Sequence, residues 1–123
     1  MKRLLVILLL IVLNAPIARG EESKPLLLRQ PTVNRTHVAF VYGDDLWLVS
    51  REGGDARRLT TGLRVDEPAF SPDGKHLAFT GNDRGTVDIY IMPAAGGVAR
   101  RLTYDPGPEH GLAGWTPLTC PFV

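Results

Sequence analysis

Hydrophobic positions in the chain fall in short runs of four to seven residues, rich in β-branched and aromatic side chains and bounded by turn formers. Such runs read as strands. Ser71-Pro72-Asp73-Gly74 is a turn with a mechanism: proline fixes φ at the second position, aspartate caps through its side chain, and glycine takes the place that requires positive φ. Pro93-Ala94-Ala95-Gly96-Gly97 and Arg51-Glu52-Gly53-Gly54 close further hairpins. No window past the amino-terminal segment sustains helical periodicity with caps.

The runs repeat. Gly53-Gly54-Asp55-Ala56-Arg57-Arg58-Leu59-Thr60 returns 43 residues later as Gly96-Gly97-Val98-Ala99-Arg100-Arg101-Leu102-Thr103, and Asp45-Leu46-Trp47-Leu48-Val49 returns at the same offset as Asp88-Ile89-Tyr90-Ile91-Met92. His37-Val38-Ala39-Phe40 returns as His76-Leu77-Ala78-Phe79 at an offset of 39, so the second copy carries four extra residues, placed at Asn82-Asp83-Arg84-Gly85 and expected in a turn. One unit then has strands at 67–70, 75–81, 86–92 and 99–103. The preceding unit covers about 26–60, with Leu26-Leu27-Leu28 as its first strand.

A period near 40 with four antiparallel strands marks a blade of a β-propeller. The fold expected is all-β, a partial propeller of two four-stranded blades. Blades bury both sheet faces against neighbours, which explains why Leu46-Trp47-Leu48 and Ile89-Tyr90-Ile91 are apolar throughout. A third unit opens at 113–117, where Gly114-Trp115-Thr116-Pro117 echoes Ala69-Phe70-Ser71-Pro72. Residues 118–123 then depart from the pattern; the expectation is a truncation or reading-frame scar, with further repeats in the natural protein.

At the amino terminus, Met1-Lys2-Arg3 precedes an unbroken apolar run from Leu4 to Leu13. Two charges, a short greasy core and the small-x-small pattern Ala18-Arg19-Gly20 read as a secretory signal peptide over 1–20, helical while attached, which leaves 21–117 as the propeller region. The run is shorter than the roughly 20 residues a spanning helix needs. Export to the periplasm or outside the cell is expected, with no membrane contact beyond the signal. The single cysteine, Cys120, forms no internal disulfide and is not placed for lipid anchoring.

A net charge of +1 with scattered basic residues gives no nucleic-acid footprint. The pairs Arg57-Arg58 and Arg100-Arg101 read as solvated strand residues at a blade edge. Ser50, Ser71, His37 and His76 assemble into a hydrolase triad only on paper: Ser71 lies in the repeated turn, and no Gly-x-Ser-x-Gly elbow occurs. Asn82, Asp83 and Asp88 space hard oxygen donors near Gly85 but lack a calcium-loop pattern, so a hairpin turn is expected instead. His110 lies in a Gly/Pro-rich loop, and Asn34-Arg35-Thr36 fits the glycosylation acceptor triplet. No catalytic, cofactor-binding or metal-binding residue is assigned, and no cofactor is expected.

Ala69-Phe70-Ser71-Pro72-Asp73-Gly74-Lys75-His76-Leu77-Ala78-Phe79, with Asp88-Ile89-Tyr90-Ile91-Met92 and Arg101-Leu102-Thr103, resembles the TolB-type propeller repeat. That fold serves binding proteins, peptidases and amidohydrolases alike. Val41-Tyr42-Gly43-Asp44-Asp45-Leu46-Trp47, Ile91-Met92-Pro93-Ala94-Ala95-Gly96-Gly97 and Gly114-Trp115-Thr116-Pro117 are more narrowly similar to the amino-terminal propeller of tricorn-type serine proteases. The resemblance implies a parent propeller of about six or seven blades, followed by a second propeller or related β-domain, a PDZ domain and a carboxy-terminal serine peptidase core. It implies peptide or protein substrates through that parent and a structural, substrate-gating or homo-oligomer-forming role for this region. The chain itself lacks the peptidase core.

Overall fold

The computed structural model describes residues 27–104, 111–117 and 121–122. The expected signal helix over 1–20, Leu26, His110 and Cys120 lie outside the described residues. Strands β1 (Arg29–Val33), β2 (His37–Tyr42), β3 (Asp45–Ser50) and β4 (Arg57–Arg58) form one antiparallel sheet in sequential order. Strands β5 (Val65–Phe70), β6 (His76–Asp83), β7 (Thr86–Pro93) and β8 (Arg100–Arg101) form a second sheet of the same order. A two-stranded pair, β9 (Gly114–Trp115) with β10 (Pro121–Phe122), follows. The described residues contain no helix.

The register shows why both faces of each sheet are apolar. Phe40 pairs with Trp47 and Val38 with Val49 in the first sheet, as Phe79 pairs with Tyr90 and Leu77 with Met92 in the second. Side chains alternate across a strand, so Leu77, Phe79, Tyr90 and Met92 make one face, and Ala78, Thr80, Ile89 and Ile91 the other. The first sheet sends Ala39, Val41, Leu46 and Leu48 into one core cluster with Leu77, Phe79, Tyr90 and Met92 of the second. An aliphatic face of one blade thus meets an aromatic-rich face of the next, and the Phe79 and Tyr90 rings stack at 5.7 Å. Val65 and Phe70 of β5 complete the cluster.

The first strand is a correction. It is not Leu26-Leu27-Leu28 but Arg29–Val33, and Leu27 is 81% exposed. Proline at position 31 disguises a strand because it has no N–H for a ladder. A bulge accommodates it: Arg29 pairs with Val41 and Thr32 with Ala39, so Gln30 and Pro31 together oppose Phe40. β5 repeats the device, with Glu67 and Pro68 opposing Phe79.

The extra residues of the second unit are a second correction. Both β2–β3 and β6–β7 turn on two residues, Gly43-Asp44 and Arg84-Gly85, all at positive φ as such tight hairpins require. The additional residues lengthen the ladder by the pairs Asn82 with Val87 and Asp83 with Thr86.

The outer strands are shorter than expected because side chains take over the ladder. Thr60 Oγ1 accepts the N–H of Leu46 at 2.9 Å, and Thr103 Oγ1 accepts the N–H of Ile89 at 3.0 Å. Each hydroxyl faces a buried aspartate: Thr103 donates to Asp88 Oδ1 at 2.8 Å, and Thr60 reaches Asp45 Oδ1 at 3.5 Å. Arg58 pairs with Asp45 and Arg101 with Asp88, whose Oδ2 rests against the guanidinium as an ion pair. Arg58 and Arg101 close the same circuit by donating from Nε to the carbonyls of Thr60 and Thr103, at 3.1 and 2.8 Å. The reading of these arginines as solvated edge residues holds for their place, on the outermost strands of the two sheets, and the structure adds a task to two of them, since Arg58 and Arg101 compensate buried carboxylates. Arg57, though exposed, crosses to the second blade and donates to the Ala95 carbonyl at 2.6 Å. Arg100 remains exposed.

Candidate functional site

Candidate hydrolase residues are bound into structure. Ser71 Oγ donates to Asp73 Oδ1 at 2.6 Å and accepts the backbone N–H of His76 at 3.0 Å. Asp73 also accepts the N–H of Lys75 at 3.0 Å, while Gly74, at φ +72°, returns its N–H to the Ser71 carbonyl. The Ser71 hydroxyl, with the Lys75 N–H second, holds the Asp73 carboxyl below the usual carboxylate range. A nucleophile needs a base on its hydroxyl; Ser71 has a carboxylate already fixing a turn. His37 contacts Thr36 Oγ1 through Nδ1 at 2.8 Å, and Ser50 accepts the N–H of Glu52. His37 and Ser50 face each other across β2 and β3, but among the described residues no serine hydroxyl bonds to a histidine ring.

The oxygen donors near Gly85 do not converge either. Asn82 Oδ1 caps the turn through the Gly85 N–H at 2.8 Å, Asp83 lies 3.8 Å from exposed Arg84, and Asp88 is buried in the arginine–threonine circuit. Asn34 serves as a clip: Oδ1 accepts the N–H groups of Thr36 and His37, and Nδ2 donates across the blades to the Gly74 carbonyl at 3.1 Å. Its amide nitrogen is already engaged with the second blade.

A charged cleft of about 450 Å³ lies at the Gly43-Asp44 end of the blade contact, lined by Arg29, Asp44, Arg64, Asp66 and Glu67 among others. Arg29 pairs with Asp44 at 3.2 Å, and Arg64 approaches the same carboxylate at 4.0 Å. Backbone bonds hold the segments around it: Val65 donates to Asp44 O at 2.8 Å and Asn82 to Leu63 O at 2.5 Å. Asp44, Arg64 and Glu67 all hold positive φ, at 64°, 43° and 48°. Only the Asp44 conformation follows from a two-residue turn. Strained backbone of this kind gathers where a surface is held in one shape.

Comparison with known proteins places these observations in a family. The sequence model of the tricorn protease N-terminal beta propeller domain matches residues 25–119. The chain belongs to that family. Among its relatives, the putative tricorn protease homolog 2 of Streptomyces coelicolor is 37% identical over 102 residues, which cover 81% of this chain and 9% of the homologue. The crystal structure of the tricorn protease superposes with a TM-score of 0.68 at 29% identity, covering 80% of this chain and 11% of that one. A putative TolB from Agrobacterium tumefaciens superposes at 0.65 with 23% identity, covering 78% and 36%, and so shares the fold. The chain thus spans about a tenth of the length of the tricorn proteins it matches.

In this tricorn-family propeller, reasoning from sequence missed the acid–threonine–arginine circuit and the strained inner-strand residues. The first had a visible trace, since Asp45 and Asp88 recur at the same offset as Arg58-Leu59-Thr60 and Arg101-Leu102-Thr103. The second had a weaker one in the dipeptides Gln30-Pro31 and Glu67-Pro68, whose spacing differs from that of the other repeats.

Proposed function

We propose that this chain is the opening part of the amino-terminal propeller of an exported, tricorn-like serine peptidase. Peptide-bond hydrolysis belongs to another part of the parent, and these blades shape, gate or assemble it. The observation that carries the reading is the match to the tricorn amino-terminal propeller along residues 25–119. It falls on two blades in which Ser71 and Asp73 are engaged in a turn and Asp88 in a bond within its own blade. The basic, apolar and small-residue succession over 1–20 supports export.

A second reading, a TolB-like docking propeller without chemistry of its own, is favoured by the shared TolB fold. Capturing the parent protein from source cells with an antibody against residues 27–104 separates the two. Labelling of the captured protein by a fluorophosphonate, together with cleavage of fluorogenic peptides, supports the peptidase. An unlabelled, inactive protein that arrives with stoichiometric protein partners overturns it in favour of docking. Export is tested by fractionation and amino-terminal sequencing: a mature end near Glu21 is expected, and a cytosolic chain retaining Met1 contradicts it.

A further inference from the structure

Gln30 and Glu67 occupy the same place in the two inner strands. Each is the first of two bulge residues, each precedes a proline, and each holds positive φ, at 49° and 48°. This backbone region is uncommon for any residue but glycine. A bulge re-aims the side chain it carries, and here both side chains make the same bond. Gln30 Oε1 accepts the backbone N–H of Glu67 at 3.1 Å; Glu67 Oε2 accepts the backbone N–H of Leu112 at 3.2 Å.

Leu112 stands three residues before Trp115, as Glu67 stands three before Phe70, and Trp115 occupies the repeat position of Phe70. The acceptor of each inner strand therefore goes to the matching peptide group of the next. Neither side chain bonds within its own strand among the described residues, so the contact is not a local cap of the bulge. Other bonds tie the same inner strands together: Phe70 donates to Thr32 Oγ1 at 3.3 Å, and Trp115 Nε1 to the Ala69 carbonyl at 3.1 Å.

From this repetition we infer that Gln30 and Glu67 form an axial latch, a strained acceptor handed from blade to blade that sets the spacing of the inner strands and the width of the charged cleft. The device is independent of any peptidase activity in the parent.

Amide hydrogen exchange on the full chain tests it residue by residue. In the unaltered chain the Leu112 and Glu67 amides exchange more slowly than unprotected peptide groups; random-coil rates at both overturn the latch before any variant is made. Glu67→Ala removes the acceptor and accelerates exchange at Leu112 about five-fold, the yield of one hydrogen bond. Glu67→Gln, which keeps an acceptor, leaves it within about two-fold. Gln30→Ala produces the same acceleration at the Glu67 amide, a separate check should Glu67→Ala fail to fold. Unchanged protection at Leu112 in Glu67→Ala, or equal loss in Glu67→Gln, refutes the assignment.

Discussion

At the scale of single residues, the most consequential groups are the two buried aspartates. Asp88 is 1% exposed and Asp45 5%, while their arginine partners retain contact with water. Removing a guanidinium strands a buried negative charge, whereas removing the acid leaves an arginine free to turn outward. Arg101→Ala is therefore expected to cost about 3 kcal/mol. Arg58→Ala should cost about 1–2 kcal/mol, because Asp45 keeps the N–H of Gly62 at 3.1 Å and more contact with solvent. Urea denaturation of both variants measures the difference, and the reverse order would remove burial as the explanation.

Asp73 carries a pH dependence whose sign follows from its environment. Folding lowers its pKa, through the Ser71 hydroxyl first and the Lys75 N–H next. The stabilisation is thus complete above the unfolded value of about 3.9 and is lost as pH falls through the lower folded value. Ser71→Ala should flatten the acid limb of a stability–pH curve while Pro72→Ala leaves its shape unchanged. Identical acid limbs in the native chain and Ser71→Ala would show that the turn is not the titrating element.

At the scale of elements, Gly81 illustrates how closely the second blade is packed. A Cβ there would lie 2.9 Å from Tyr90 Cδ2 and Cε2, in a ring stacked on Phe79. Gly81→Ala must shift that stack and is expected to destabilise by about 1–3 kcal/mol. A thermal midpoint equal to that of the unaltered chain would mean the ring yields freely.

Most of the element order could be read from the chain because turns are chemically explicit: Ser71-Pro72-Asp73-Gly74 and the two double-glycine loops mark boundaries that the folded strands respect. The inner strands were harder. Gln30-Pro31 looks like a break, which shifts the expected first strand to the preceding leucines, whereas Glu67-Pro68 falls inside an expected strand that in the structure begins two residues earlier; in both, a bulge opposite Phe40 or Phe79 keeps the pair in the sheet. The outer strands were overestimated because a threonine hydroxyl replaces a backbone acceptor, a substitution that leaves hydrophobic patterning unchanged. The charged cleft was invisible to motif reasoning. Its charged lining comes from β1, a hairpin turn, β5 and the residue before it, positions far apart in sequence that blade packing brings together.

At the scale of the molecule, stability rests on stacking, since a propeller's blades rely on their neighbours to cover their faces. The Ala78–Ile91 face of the second blade corresponds, position for position, to the face by which the first blade joins the core. Extending the chain by further tricorn-type repeats should therefore raise both the urea midpoint and the m-value. An extended protein with an unchanged m-value would show that the added repeats do not stack. The 123-residue chain alone is expected to melt at low temperature with weak cooperativity and to cleave no fluorogenic peptide; a sharp, high-temperature transition would contradict the first expectation and measurable turnover the second.

The lengthened β6–β7 hairpin imposes an arithmetic on how such blades can vary. Its surplus arrives as whole facing couples, so Phe79 and Tyr90 still look toward the first blade and Ala78 and Ile91 away from it. One residue added within a strand would reverse every orientation beyond it and turn greasy positions to the wrong side, unless a bulge like those of β1 and β5 absorbed it. Where no bulge intervenes, blade height at this edge grows or shrinks by facing couples, and the projecting tip is a place where the protein can be altered in reach without disturbing what lies beneath.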